Sequence, residues 1–423
     1  MNQNGLFRGE QLSPRLRYQA LFAHLPRIPH EQRLGRPATD PNAMLRSFIY
    51  RSLRSLRTIS DLVYSLAENP SLTEVVGFDL FAPLPSIERF SAWLRLTPNE
   101  RLQNIRLSLI KRLIAHSAIR GNMVILDSSP IPSPVRENNL KTTFTDRFNK
   151  KRYPRTDPEA RLGTYRFFGP GSQKIRYFWG YRNHIAVDFD TELPIWEETR
   201  PANCHESRMA IPLLDACAQT LDLPIQVVSG DSAYDSEKIL AYIIENLGAQ
   251  PIIASNRRNQ KNQGFRIQGK GVICPGDLEM VHKGRMTHKQ TGITYRQYCC
   301  PLHYRKKIRQ RFLLCPANHP KFLSQKGCNY LLRETSSYRE QIPYGSMEFK
   351  ILYNKRTSVE RVFSRLLSMA MQKPTVRGLQ TIRNYCTIAH ITVLLIATAA
   401  HHQGQKDKLS FVRTFVPKLM NEK

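Results

Sequence analysis

The hydrophobic period of this chain changes once, near residue 120, and that change limits the fold more than any other feature of the sequence. Before it, "AMLRSFIYRSLRSLRTISDLVYSLAENPSL" (43–72) repeats apolar residues every three or four positions and fills the gaps with arginine. That spacing gives amphipathic helices. Asn69-Pro70 interrupts them, Ser86 is placed to cap the helix in "PSIERFSAWLRL", and "TPNE" predicts a capping box at Thr97 and Glu100 before a helix running to about His116. After the change, "MVILDSSPI" (123–131) reads as a short buried strand. "RYFWGYRNHIAVDFDTELPIWEETR" alternates and predicts a β-hairpin turning at Asp190-Thr191. A helix ("HESRMAIPLLDACAQTL"), a strand-loop-helix around "PIQVVSGDSAYDS" and a strand at "QPIIAS" follow. The order predicts an α/β class with a mixed sheet behind a helical N-terminal third.

At 423 residues the chain is long enough for two or three domains. The expected division is a helical domain over 1–118, the first part of an α/β core over 119–256, a basic insertion over 257–345, C-terminal core helices over 346–405 and a basic tail over 406–423. The insertion carries Cys274, Cys299, Cys300, Cys315 and Cys328 beside short strand-like pieces, so it reads as β-rich. The segment 132–175 reads as a long Arg/Lys/Pro-rich loop.

Charge narrows the partners. Lys plus Arg is 63 against 34 Asp plus Glu, a net charge of +29. The excess runs through most of the chain, which points to a polyanion, with nucleic acid the default. No membrane partner is expected: "ITVLLIATAA" (391–400) is about half the length of a spanning helix. "MNQNGLFRGE" lacks the apolar core of a signal peptide, so the eight cysteines are expected as reduced thiols or metal ligands in a cytosol. "CPLH" and "CPANH", with His303 and His319, have spacings that suit Zn²⁺; buried thiols are the alternative.

Two acids, Asp127 and Asp231, each close an apolar strand, where α/β sheets commonly carry their chemistry. On neighbouring strands both would project at one sheet edge. Glu360, within "YNKRTSVERVF" (353–363), is the natural third member, with Arg356 one helical turn earlier. Three carboxylates make an all-oxygen site for Mg²⁺ or Mn²⁺, and a planar guanidinium beside them matches a phosphate. Taken singly, Asp127 has a turn cap open to it, Asp231 an Asx-turn, and Glu360 an ordinary ion pair with Arg356.

At these residues the chain resembles the DDE transposases of bacterial insertion sequences, whose catalytic core is RNase H-like. Tyr353, Arg356 and Glu360 fit the family's Tyr-x2-Arg-x3-Glu-x6-Lys signature; its Lys position falls on Leu367, and Arg365 or Lys373 stands nearby. "ILDSSPI", "GYRNHIAVD", "RPANCHES" and "GDSAYDS" resemble the family's first-Asp strand, hairpin, turn and second-Asp loop. "LGRPATDPNAMLRSFIYRSLRSLRTISDLVYSLAENPSL" resembles its helical N-terminal DNA-binding domain.

The resemblance implies cut-and-paste transposition: Mg²⁺-dependent cleavage at transposon ends, then attack of a freed 3′-OH on target DNA. It implies Asp127, Asp231 and Glu360 as catalytic metal ligands, and Tyr353, Arg356, Arg361, Arg365, Arg182 and His184 as phosphate- or DNA-binding residues. For His184 and Tyr353 a packing role stays open. Double-stranded DNA, a homodimer in the synaptic complex and a nucleoid-associated place in a bacterial cytoplasm complete the expectation. A transposase-derived DNA binder without nuclease activity and an RNase H-like nuclease are the rival readings; three intact acids count against the first, and the helical domain and basic insert against the second.

Binding to duplex DNA is expected to weaken steeply with salt, with a log–log slope of about −0.9 per phosphate contacted. A titration from low to physiological salt measures it, and a flat response would show that the charge serves another partner.

Overall fold

The computed structural model describes residues 13–29, 39–169, 172–256, 264–269, 271–289, 292–304, 310, 312, 314–319 and 327–412. The expected basic tail beyond Val412, and 30–38 in the polar N-terminal stretch, lie outside them. The chain divides into two compact units, Met1–Ala254 with Tyr344–Lys423, and Ser255–Pro343. The helical N-terminal third is not a unit of its own: it shares the first unit with the sheet.

In that unit, helices α1 (Pro14–Phe22), α2 (Pro41–Leu53), α3 (Ile59–Ala67), α4 (Pro70–Val76), α5 (Ile87–Leu96) and α6 (Asn99–Ala115) come first. Ser86 caps α5 as its sequence suggests. The capping box lies elsewhere than expected. It forms at Thr58 and Asp61, ahead of α3. Thr97 instead donates its hydroxyl back to the Trp93 carbonyl (2.7 Å), so no box precedes α6.

Strands β1 (Met123–Pro132), β2 (Arg161–Gly169), β3 (Ser172–Asp188), β4 (Leu193–Pro201), β5 (Val227–Gly230) and β6 (Gln250–Ile253) form one mixed sheet. Its order is β2-β3-β1-β5-β6, with β4 also paired to β3. β1 runs antiparallel to β3 and parallel to β5. The segment expected as loop thus contributes β2. The first half of β3 pairs with β2, and its second half runs between β1 and β4. The change of neighbours falls at Gly180, where a Cβ would lie 2.3 Å from the Ile131 carbonyl oxygen, so a side chain would push the strands apart. Helix α7 (Glu206–Asp215) follows β4, and α8 (Glu237–Ala241) follows β5.

Among the described residues one helix, Leu379–His402, is long and apolar enough to cross a membrane; 94% of its most apolar window is buried inside the protein. The sequence-based expectation of a run too short to span misjudged its length, because Asn384, Thr387, His390 and Thr392 interrupt the apolar text. All four are fully buried. They are bonded within the fold: His390 Nε2 meets Asn183 Oδ1 at 3.0 Å, and the Thr387 hydroxyl donates to Glu197 at 2.7 Å. The helix packs on α6, α2, α5 and β4.

The second unit is β-rich. It holds a two-stranded hairpin, β7 (Arg266–Gln268) with β8 (Gly271–Ile273). A three-stranded antiparallel sheet follows, of β9 (Val281–Thr287), β10 (Thr294–Cys299) and β11 (Asn329–Arg333), with the short helix α9 (Pro301–Tyr304) after β10.

Burial pushes His390 down to about 4, despite the attraction of Glu197. In the unfolded chain the same ring titrates near 6.5. Below that pH the unfolded chain takes up a proton that the folded protein refuses, so stability is lost as pH falls from about 6.5 toward 4. Denaturant melts at pH 6.5 and 4.5 are expected to show wild type losing on the order of 2 kcal/mol more than His390→Gln. Equal losses would mean that the ring is not held neutral.

Candidate active site

The parallel pairing of β1 and β5 sets Ile125 opposite Ser229. Carried two residues further, the same register brings Asp127 level with Asp231, which begins the loop after β5. Asp231 does lie just past the end of β5, whereas Asp127 lies inside β1, two residues beyond its last pair with β5, because pairing with β3 carries the strand on to Pro132. Asp127 Oδ1 accepts from the Ser128 N–H at 2.7 Å, and Asp231 Oδ1 from the Ala233 N–H at 2.8 Å. The second contact is the Asx-turn that the sequence also allowed, and it fixes the carboxylate without removing it from the site.

The third acid arrives on helical text that the chain breaks in two. Helix α10 (Met347–Asn354) passes through a short 3₁₀ turn, Lys355–Thr357, into α11 (Ser358–Leu366). Arg356 lies in that turn. Its Nη1 stands 3.7 Å from Asp127 Oδ2 and its Nη2 3.6 Å from Glu360 Oε1. One guanidinium thus sits between the first and third acids. The Glu360 side chain is 66% exposed, whereas Asp127 and Arg356 keep only 21% and 20%. Tyr353 stacks on Phe349 at 5.8 Å between centroids, and the Arg356 guanidinium lies 5.7 Å from the Tyr353 centroid. Tyr353 is therefore a side wall for Arg356.

A fourth acid belongs to this group and was not foreseen. Glu206, the first residue of α7, accepts from the Ser128 hydroxyl (2.7 Å) and pairs with Arg182. In the sequence it looks like an ordinary acid in a helix's first turn. Only the fold shows that this helix starts against β1. Burial pushes Asp127 up to about 7, helped by the nearby charges of Glu206 and Asp231 and opposed by the Ser128 N–H and Arg356. Burial and Glu206 also raise Asp231. Beneath them the Tyr234 hydroxyl is buried without a hydrogen-bond partner among the described residues.

Several expected DNA contacts lie elsewhere. His184 is fully buried, and burial lowers it to about 3, followed by the repulsion of Arg182, Arg200 and His205. It pairs across β3 with Ser128 on one side and Glu198 on the other, so no phosphate reaches it. Arg182 is held by Glu206, the Ser128 hydroxyl (2.9 Å) and the Thr164 carbonyl (2.7 Å). Arg361 and Arg365 both pair with Glu192 in the β3–β4 turn. Although burial acts against it, the two guanidiniums hold the Glu192 carboxyl below the usual range. Of the two substitutes for the signature Lys, Arg365 is thus engaged, and Lys373 is exposed. In the 136–161 loop, Arg147 donates to the carbonyls of Glu137 (3.0 Å) and Asn139 (2.6 Å), which makes it a brace for the loop.

The donors fit a hard divalent cation: they are all carboxylate oxygens, and burial holds Asp127 up at about 7 despite the Arg356 guanidinium nearby. Arg356 fills part of the cation's role. Among the described residues no three His, Cys, Asp or Glu side chains are grouped as a metal would hold them, and Glu360 is the acid turned furthest toward solvent.

Residues 121–395 match the transposase DDE domain family, and residues 11–96 match a second family described as a transposase domain. The chain belongs to the DDE transposases: it is an enzyme that binds DNA and acts on it as a transposase. Enzymes of this family generally use divalent metals. No curated protein matches the chain. Among solved structures it is similar to a piggyBac transposase in a synaptic complex with hairpin DNA, with 13% identity, a TM-score of 0.36, and 95% of this chain and 80% of that one covered.

Glu192 ties the strand turn to the helix that carries Glu360. Glu192→Gln is expected to cost about 1–3 kcal/mol in a urea melt, since two charge-assisted contacts are lost from a largely buried carboxylate. DNA cleavage should fall with it as the Glu360 helix loosens. A variant as stable as wild type would show that these pairs do not hold the helix.

Proposed function

We propose that the sheet and its helices are an RNase H-like core in which Asp127, Asp231 and Glu360 hold Mg²⁺, with Mn²⁺ able to substitute. On this reading the protein cuts DNA at transposon ends and joins the freed 3′-OH to target DNA. The observation that carries it is the bridge of Arg356 between Asp127 and Glu360, with Asp231 level with Asp127 on the next strand.

When bound, the cations would activate a water or 3′-OH and neutralise the leaving oxygen. The chain's own residues do the rest. Arg356 presents a planar fork to a phosphate, and Tyr353 limits where that fork can swing. Ser128 holds Asp127 through its N–H and Glu206 through its hydroxyl, so the end of β1 and the start of α7 stay in register. Arg182 offsets the charge of Glu206 and leaves the metal-facing acids uncompensated. The helical N-terminal third would grip the transposon end, with the 136–161 loop and the insertion along the flanking duplex. Two such chains would form a homodimer across paired ends, acting on the nucleoid in a bacterial cytoplasm.

Asp231→Asn keeps the shape and removes one charged ligand. Cleavage of a labelled transposon-end duplex with Mg²⁺ is expected to drop by roughly 10² or more, while end binding is kept or strengthened as a repulsive charge leaves. Arg356→Lys retains charge but loses the fork, and the same drop is expected with an unchanged thermal melt. Wild-type cleavage by Asp231→Asn would rule out the metal assignment; wild-type cleavage by Arg356→Lys would rule out the clamp.

A further inference from the structure

The second unit has a weak core for its size. Among the described residues its buried clusters include Val272, Cys274, Met280 and Tyr298, and Cys300, Leu302 and Cys315. Cysteine thus supplies much of the interior of a small β-rich unit, where a staple is usually required. No two of the cysteines are joined as a disulfide.

Their local geometry is repetitive. Cys274, Cys300 and Cys315 are each followed by proline. In "CPGD" the Asp277 N–H donates to the Cys274 carbonyl (2.9 Å), and Asp277 takes a left-handed φ of 57°. In "CPAN" the Asn318 N–H donates to the Cys315 carbonyl (2.8 Å), with a φ of 49° at Asn318. These are two copies of one tight turn. They pack on each other: a Cβ on Gly276 would lie 3.1 Å from both the Ala317 nitrogen and Pro316 Cβ. The third Cys-Pro joins from β10, where the His303 N–H donates to the Cys300 carbonyl at 3.2 Å.

Cys328 links the group. It packs against both clusters, so Cys274, Cys300 and Cys315 are all in clusters it borders. Its carbonyl accepts from the Cys300 N–H at 3.0 Å. The two thiols are within hydrogen-bonding reach of each other as well. Gly327 lets them approach, since a Cβ there would meet Cys300 Cβ at 2.5 Å. An open cavity of about 380 Å³ borders Cys300 and Cys328 and gives a metal a way in.

We infer that Cys274, Cys300, Cys315 and Cys328 form a structural Zn²⁺ site that staples the second unit. Tight turns that present one thiolate each, and strand ends that bring the others, are how small β-rich zinc modules assemble a tetrahedral sulfur shell. Among the described residues the four sulfurs are not grouped around a single point. Binding closes them inward, with thiol protons released to solvent as thiolates form on the ion. Cys299 borders the same cavity from β10, opposite Val281 and Asn329, and the proposed set leaves it out. The set also replaces the Cys-His pairings suggested by "CPLH" and "CPANH".

The test uses the full chain purified under reducing conditions. Elemental analysis should find about one Zn²⁺ per chain. After chelation, Co²⁺ titration should give the intense visible bands and near-ultraviolet thiolate charge transfer of a four-sulfur tetrahedral site. Cys274→Ser, Cys300→Ser, Cys315→Ser and Cys328→Ser should each weaken Co²⁺ binding by about tenfold or more, whereas Cys299→Ser, His303→Ala and His319→Ala should bind as wild type. Wild type alone is decisive if a serine variant fails to fold. Absence of tight Co²⁺ uptake, a spectrum with nitrogen ligands, or a Cys300–Cys328 disulfide in freshly prepared protein would each overturn the site. The readout is metal content, so it stands or falls independently of DNA cleavage.

Discussion

The first unit is organised around a buried carboxylate. Glu197 on β4 is 3% exposed and takes hydrogen bonds from Gln103 on α6 (2.6 Å), Thr387 on the long C-terminal helix (2.7 Å) and Asn183 on β3 (2.8 Å). Asn183 passes the network on to His390, and Gln103 to Arg106, which is itself fully buried and donates to the Ile195 carbonyl. Removing one partner of such a group costs several kcal/mol, because an uncompensated charge stays behind. A network with directional partners on a helix, a second helix and two strands admits one register between them. Apolar packing alone would tolerate several.

That register carries the site. The C-terminal helix packs on β4, and β1 is confined between β3 and β5. Asp127 and Asp231 then meet because of the β1–β5 register, and α7 delivers Glu206 to the same strand end. The Glu360 helix is attached in two ways. Val359, Val362, Phe363 and Leu366 bury it in the core, and Arg361 and Arg365 pair with a turn residue, Glu192, whose φ of 53° is itself left-handed.

Most of this was legible in the sequence at the level of elements. The period change near residue 120 located β1, and apolar runs ending in Asp located both acids, although pairing with β3 carries β1 past Asp127 to Pro132. The insertion announced itself by composition. What stayed hidden has a common cause: a residue's partners across the fold are not written beside it. β2 was buried in arginine-rich text that reads as loop, since its pairing with β3 supplies what its composition does not. Thr97-Pro98-Asn99-Glu100 has the letters of a capping box, yet its hydroxyl had a nearer carbonyl on the preceding helix. Arg361 and Arg365 look like free cations for DNA until the hairpin brings Glu192 to them. His184 sits in polar text, yet β3 is buried on both faces from Asn183 to Asp188. The Cys-His spacings suggested ligands by distance along the chain, whereas the structure groups the cysteines through tight turns and places His303 on the same cavity as Cys300 and Cys328.

The arginine among the acids can now be explained by charge. Asp127, Asp231, Glu206 and Glu360 converge on one end of the sheet, and the described guanidiniums that meet them there are those of Arg182 and Arg356. Arg182 is consumed by Glu206 and by two further acceptors, so its charge cannot follow a ligand. Arg356 is held only by contacts longer than a hydrogen bond, at 3.6 and 3.7 Å, so it is the cation that can move. At those distances the attraction is real but no donor is locked to an acceptor. An arginine held this loosely keeps the acids from repelling one another in the resting protein. On the proposed reading it would turn its fork to a phosphate once other positive charge takes over the carboxylates. A lysine would screen the acids as well but would meet the phosphate as a point charge, without the planar geometry that fixes the direction of attack.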